Sequence, residues 1–219
     1  VAGAQDNGTQ KFSSPGFGST SEATGGDGAY CHLHQSVEGI AYMSSQNGAI
    51  RKTNDIYLKP PPTISITNEL DANNDGNIDD GAWFINPFEM NYKNSEMLFF
   101  PTRRRLWFSF DGAGSWYPIT SSKANLFCVG IPNNAEPYRI YVGGDNMQIY
   151  RIDDLYSAEA GTEVLVNQNR PNNISQSFIS NITVHPRHDN IIYLSLSNYS
   201  SQPRVWRVED ADTEDPTSV

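Results

Sequence analysis

Oxygen-bearing side chains crowd one eleven-residue stretch, Asp71-Ala72-Asn73-Asn74-Asp75-Gly76-Asn77-Ile78-Asp79-Asp80-Gly81. They recur at its first, third, fifth and ninth positions, with Gly at the sixth and Ile at the eighth, as in the first nine residues of an EF-hand-type calcium loop. Asp71, Asn73 and Asp75 would converge on one Ca2+ ion. The Asn77 carbonyl would add a ligand, Asp79 would bind directly or through water, and Gly76 would make the sharp turn. The twelfth position holds Ala82 where such loops carry a bidentate Glu, so Asp80 or a carboxylate from elsewhere must compensate. Pro60-Pro61-Pro62 precedes the loop and a strand is expected after it, so the loop stands without flanking helices and its ion is structural. The competing reading is a solvated Asn/Asp/Gly turn, which such a composition forms without metal.

Other clusters carry less chemistry. Arg103-Arg104-Arg105 reads as a charged hairpin turn with one guanidinium stacked on Trp107, because successive residues of a strand point to opposite faces. His32 and His34 share one strand face, and His185 and His188 form a second pair, but neither pair has an evident third metal ligand. No phosphate-binding Gly-Lys-Ser/Thr loop and no Gly-x-Ser-x-Gly elbow occurs. Glycoside hydrolysis needs two facing carboxylates; Asp6 and Asp27 lie in turn sequences, and their spacing does not say whether they meet.

The elements that must position these groups are announced by composition. Among 219 residues, 15 are Lys or Arg and 25 are Asp or Glu, for a net charge of −10. That balance argues against a phosphate-backbone partner. The 11% aromatic content is too high for a disordered tail, and no apolar run reaches the length of a membrane-spanning helix. Cys31 and Cys128 are either a disulfide or two small buried apolar residues. The chain opens at Val1 without a leader-like segment, so the expectation is a chain processed or cut from something longer. Scarce Lys with abundant Asn, Ser, Thr and Tyr is a balance associated with secreted bacterial proteins.

Helical periodicity is nearly absent, and short β-rich runs between turn signals dominate. The runs repeat. First strands are expected at Tyr30–His34, Trp83–Pro87, Phe127–Pro132 and Ile182–Pro186. Second strands follow at Ile40–Met43, Met97–Phe100, Arg139–Val142 and Ile191–Leu194, and third strands at Ile50–Thr53, Leu106–Ser109, Ile149–Ile152 and Val205–Val208. Each third strand runs into an acidic turn, at Asp55, Asp111, Asp154 and Asp210. Three or four short strands recurring every 43 to 56 residues match one blade of a β-propeller, whereas a β-sandwich requires no fixed period. Tyr42, Phe99, Tyr141 and Tyr193 fall at equivalent places, where rings would pack between blades. The reading is all-β: a propeller segment of about four blades, part of a larger propeller. It has a partial blade at 1–20, blades at about 25–57, 80–120, 124–156 and 178–212, and the calcium-loop insert at 60–82.

At Ser109-Phe110-Asp111-Gly112-Ala113-Gly114-Ser115-Trp116 the chain resembles the Asp-box of BNR-repeat propellers. Ser109, Asp111, Ser115 and Trp116 match the motif, and Ala113 stands where it has Gly. Gly3–Thr9, Gly25-Gly26-Asp27-Gly28 and Asn86-Pro87-Phe88 look like the same group, which is similar to sortilin/xyloglucanase-like propellers of secreted Bacteroidetes surface proteins. The resemblance implies a fold-stabilising hairpin at Ser109, Asp111, Ser115 and Trp116, not a catalytic one. It also implies an extracellular or cell-surface bacterial location, and partners that are the rest of a larger propeller or other chains of an extracellular assembly.

Two functions follow: a glycan- or protein-binding module with a calcium-stabilised loop, or a fragment of a glycoside hydrolase of the xyloglucanase or sialidase type. Trp83, Trp107 and Tyr199 are candidate sugar-stacking rings. The calcium reading predicts that replacing Asp71 and Asp75 together by Ala lowers the melting temperature only when calcium is present. Melting temperatures that are equal in calcium and in chelator for the unaltered chain contradict it.

Overall fold

A computed structural model describes residues 1–16, 18–70, 78, 81–134 except 121–124, 136–137, 139–156, 163–165, 177–197, 204–213 and 217–218. The described residues contain no α-helix, and only 3-10 turns interrupt the strands. They form two compact units, Val1–Phe100 with Ser109–Ser115, and Pro101–Phe108 with Trp116–Val219.

In the first unit, β1 (Ala2–Ala4), β2 (Gly8–Phe12) and β3 (Thr20–Thr24) make a three-stranded antiparallel meander. A four-stranded one follows: β4 (Cys31–Leu33), β5 (Ala41–Ser44), β6 (Ile50–Thr53) and β7 (Ile64–Ser65). Then β8 (Glu89–Met90) pairs with β9 (Leu98–Pro101). In the second unit, β10 (Arg105–Ser109) pairs with β11 (Tyr117–Thr120). Two four-stranded meanders complete it: β12 (Leu126–Gly130), β13 (Arg139–Gly144), β14 (Ile149–Asp153) and β15 (Glu163–Leu165), then β16 (Phe178–His185), β17 (His188–Ser197), β18 (Val205–Glu209) and β19 (Thr217–Ser218).

The third strands lie where the repeats put them. One first strand does not: no strand forms at Trp83–Pro87, and β8 lies further along at Glu89–Met90. Pro87 has no N–H to give a ladder, and the Asn86 side chain closes a local turn instead, accepting from the Trp83 amide (2.8 Å). The second strand after it, Leu98–Pro101, is wholly buried.

Hydrophobic burial holds neighbouring meanders together. In the second unit Cys128, Tyr141 and Ile149 join Ile179, Ile182, Ile192, Leu194 and Val208 in one buried cluster. The fit is close enough to need glycine: a Cβ on Gly143 would stand 2.6 Å from Cys128 Sγ and 2.8 Å from Ile179 Cγ2. Full burial of each aliphatic side chain stabilises by roughly 1.5–3 kcal/mol.

A polar contact recurs beside this packing. Lys11 on β2 donates to the carbonyls of Ile56 (2.6 Å) and Leu58 in the turn after β6. Lys52 on β6 donates to the Gly112 carbonyl (3.0 Å). Arg151 on β14 donates to the Ala211 and Thr213 carbonyls (both 3.2 Å) in the turn after β18. In each case a cation, from β2 in the first and from a third strand in the other two, satisfies turn carbonyls that follow the third strand of the next repeat. Tyr42 faces Lys52 across its ladder and Tyr141 faces Arg151. Both tyrosines are fully buried, and the Tyr141 hydroxyl donates to the Asp189 carbonyl (2.8 Å).

A hydrogen bond to a charged group contributes about 1.5–3 kcal/mol, and a carbonyl left buried without a donor costs about 1–3 kcal/mol. Arg151→Ala should therefore lower unfolding stability by about 2–4 kcal/mol, read from urea denaturation. Arg187→Ala, at an exposed turn position, should stay within about 0.5 kcal/mol. Equal effects of the two substitutions contradict the role given to Arg151.

Candidate functional site

The turn after β10 is held by its own short side chains. The Ser109 hydroxyl donates to Asp111 Oδ1 (2.8 Å) and accepts from the Ala113 amide (2.9 Å). Asp111 Oδ1 accepts from the Ser115 amide (2.9 Å). Partial burial pushes the Asp111 carboxyl upward, but the Ser115 amide and Ser109 hydroxyl outweigh it and hold the group below the usual carboxylate range. Every bond of this set stays within the turn, and Trp116 is buried.

The backbone shows why the motif has glycine where this chain has alanine. Ala113 sits at φ 67°, a left-handed conformation in which glycine is unstrained and alanine is not. Gly112 is left-handed as well, at φ 64°. A Cβ there would stand 2.3 Å from Glu96 Oε2 and 3.0 Å from both Lys52 Nζ and the Tyr42 hydroxyl.

The other sequence candidates fall in different places. Asp71, Asn73, Asp75, Asn77, Asp79 and Asp80 lie outside the described residues, as does Tyr199. Of the proposed calcium loop Ile78 is described; it is buried, and its Cδ1 would be 2.6 Å from a Cβ on Gly48. Asp6 and Asp27 do meet, but through the backbone: Asp27 Oδ1 accepts from the Asp6 amide (2.8 Å), and the Asp27 amide donates to Gln46 Oε1 (2.8 Å). Asp27 thereby stabilises the Asp6 turn, where φ is 61°. Arg105 lies 5.5 Å over the Trp107 ring, while Arg103 and Arg104 are exposed. Trp83 and Trp107 are half-buried. Both cysteines are free thiols, and the buried Cys128 donates to the Ile179 carbonyl (3.4 Å). Among the described residues no group of three His, Cys, Asp or Glu side chains is placed to hold a metal ion.

His32 is not available to a metal. Its Nε2 lies 2.9 Å from the Phe88 carbonyl, which can only accept, so Nε2 carries the proton and Nδ1 accepts from the Tyr92 hydroxyl (3.1 Å). Burial holds its pKa below the ordinary value, against the opposing pull of the Phe88 carbonyl. His34 Nδ1 accepts from the Ser36 and Val37 amides, leaving Nε2–H to face Glu96 Oε1 at 3.1 Å.

Two features escaped the sequence reading. One is Glu89 on β8, a half-buried carboxyl that desolvation alone raises to about 7. Its charge also contributes to raising the phenol of the exposed Tyr92, after burial. Glu89 can therefore exchange a proton near neutrality. An acidic side chain in a short strand gives no sequence sign of this, because the shift comes from what packs over it. The other is a cavity of about 360 Å³ in the first unit, within the range of small-ligand pockets. Lys11, Phe12, Leu33, Glu38 and Tyr57 are among its walls. The Phe12 and Tyr57 rings are 51% and 65% exposed, and the Tyr57 hydroxyl donates to Glu38 Oε1 (2.9 Å).

No family model matches the chain, and no curated protein matches it. Solved structures do. An ancestral GH74 enzyme superposes with a TM-score of 0.61 at 10% identity, over 86% of this chain and 26% of that one. Raptor from Chaetomium thermophilum superposes with a TM-score of 0.54 at 16% identity, over 79% of this chain and 15% of that one. Identities this low speak for the fold alone, and the chain spans about a quarter or less of these two proteins. The chain is thus an all-β segment of the β-propeller class. No helix among the described residues is long and apolar enough to cross a membrane.

Glu89 has a pH signature with a definite sign. Its folded pKa of about 7 lies above the ordinary 4.5, so the folded state holds the proton more tightly. Stability is full below the ordinary value and is lost as pH rises from there through about 7, by up to about 3 kcal/mol. Denaturation midpoints at pH 5 and pH 8 should differ less in Glu89→Gln than in the unaltered chain. Identical pH slopes rule the shift out.

Proposed function

We propose that the chain is a binding and structural module of a secreted or cell-surface bacterial β-propeller, taking a glycan or protein ligand, with calcium stabilising the 71–82 loop. The observation that carries this reading is the first-unit cavity. Exposed Tyr57 and Phe12 rings offer flat apolar faces for a sugar ring or an apolar side chain, and Glu38 stands beside them as a hydrogen-bonding group. The internally bonded Asp111 turn supports a structural role for the Asp-box-like segment. Its partners are the remaining blades of a larger propeller or other chains of an extracellular assembly.

A second reading, a fragment of a glycoside hydrolase, is favoured by Glu89, whose carboxyl holds a proton near neutral pH, as a general acid must. The two-carboxylate route requires a second acid facing it.

A glycan array followed by titration calorimetry separates the readings. Tyr57→Ala should weaken binding of the retained glycan by about tenfold, or about 1.4 kcal/mol, with no reducing ends released. Release of reducing sugar by the unaltered chain but not by Glu89→Gln supports the hydrolase instead. Unchanged affinity in Tyr57→Ala removes the cavity from the account.

A further inference from the structure

The cation contacts obey a register. Their acceptors are the carbonyls one residue past the turn aspartates Asp55, Asp111 and Asp210, namely Ile56, Gly112 and Ala211, and three residues past, namely Leu58 and Thr213. The donors Lys52 and Arg151 stand three residues before their own turn aspartates, Asp55 and Asp154. Arg207 holds the same place before Asp210.

The equivalence extends across the ladder. Arg207 pairs in register with Tyr193, as Lys52 does with Tyr42 and Arg151 with Tyr141. Arg207 Nη2 pairs with Glu209, as Arg151 Nε pairs with Asp153 (2.7 Å). What differs is the cover. The Arg151 side chain is 8% exposed and the Arg207 side chain 41%. Tyr141 is fully buried and Tyr193 is 36% exposed, with Val205 beside them on β18 at 72%. Arg207 donates to no turn carbonyl among the described residues, and its Nε is buried without a hydrogen-bond partner.

We propose that the face of the β16–β19 sheet carrying Tyr193 and Arg207 docks one further antiparallel blade, whose turn after its third strand receives Arg207 on two backbone carbonyls. The filled contacts define the chemistry of that occupant. It offers carbonyls one and three residues past its turn aspartate to the guanidinium, one hairpin carbonyl to the Tyr193 hydroxyl as Asp189 does for Tyr141, and an apolar face to Val205. The inference rests on the reading of this chain as part of a larger propeller; it is independent of the first-unit cavity, so failure of glycan binding leaves it standing.

Two measurements test it. In the 219-residue chain, phenylglyoxal should modify Arg207 at least about tenfold faster than Arg151, the factor that about 1.4 kcal/mol of protection gives. Equal rates overturn the proposal. A chain extended at its C terminus by a second copy of residues 166–219 then supplies a blade whose Ala211, Thr213 and Asp189 carbonyls already serve as acceptors. Modification of the original Arg207 should slow to the Arg151 rate, and Arg207→Ala should lower the melting temperature more in the extended chain than in the 219-residue chain. Equal shifts in the two chains overturn it. Self-association of the 219-residue chain that Arg207→Ala abolishes makes a second copy the occupant, and overturns the assignment to a further blade.

Discussion

A cation passed from one repeat to the turn of the next is the contact on which the rest of the structure depends. Tight turns after the third strands leave backbone carbonyls facing away from any ladder, and burial without a donor is costly. Lys11, Lys52 and Arg151 supply those donors. The Lys52 ammonium also lies 5.5 Å over the Tyr42 ring, a cation–π contact beside its bond to the turn. Hydrophobic packing alone is non-directional. The cation contact fixes which turn meets which strand, and so sets the register between repeats.

The turns themselves follow from the same requirement. Left-handed backbone recurs in these turns at Ala113, Asp154 and Asp210, and Ser109 with Asp111 stabilises the first of them from within. Gly112, at φ 64°, lies where the ends of the Lys52, Glu96 and Tyr42 side chains converge. The Asp-box-like segment thus receives the Lys52 ammonium on its Gly112 carbonyl.

Much of this architecture is legible in the residues. The repeated third strands and their turn aspartates stand out because each such strand runs into an Asp, at separations of 56, 43 and 56 residues. Burial of Tyr42, Phe99 and Tyr141 follows from their alternation; Tyr193 is equally placed in sequence but exposed, because burial depends on what covers a face and not on the strand that carries it. The strand expected at Trp83–Pro87 fails on a local contest, in which the Asn86 side chain takes the backbone donor that a ladder would need. The fourth strands β7, β11, β15 and β19 are short edges with little periodicity to announce them. The basic residues at the centre of the account read as solvated charges, since a sequence does not reveal that a carbonyl sixty residues away lacks a donor. Glu89 was hidden for the same reason.

The most direct measurement is hydrogen exchange of backbone amides in the chain carrying Arg151→Ala. If the cation contacts couple neighbouring repeats, protection should fall together in β12–β14 and in the Asp210–Thr213 turn with β16–β18, although the substitution lies in β14 alone. Loss of protection confined to the amides flanking residue 151, with the β16–β18 segment unchanged, would contradict the account.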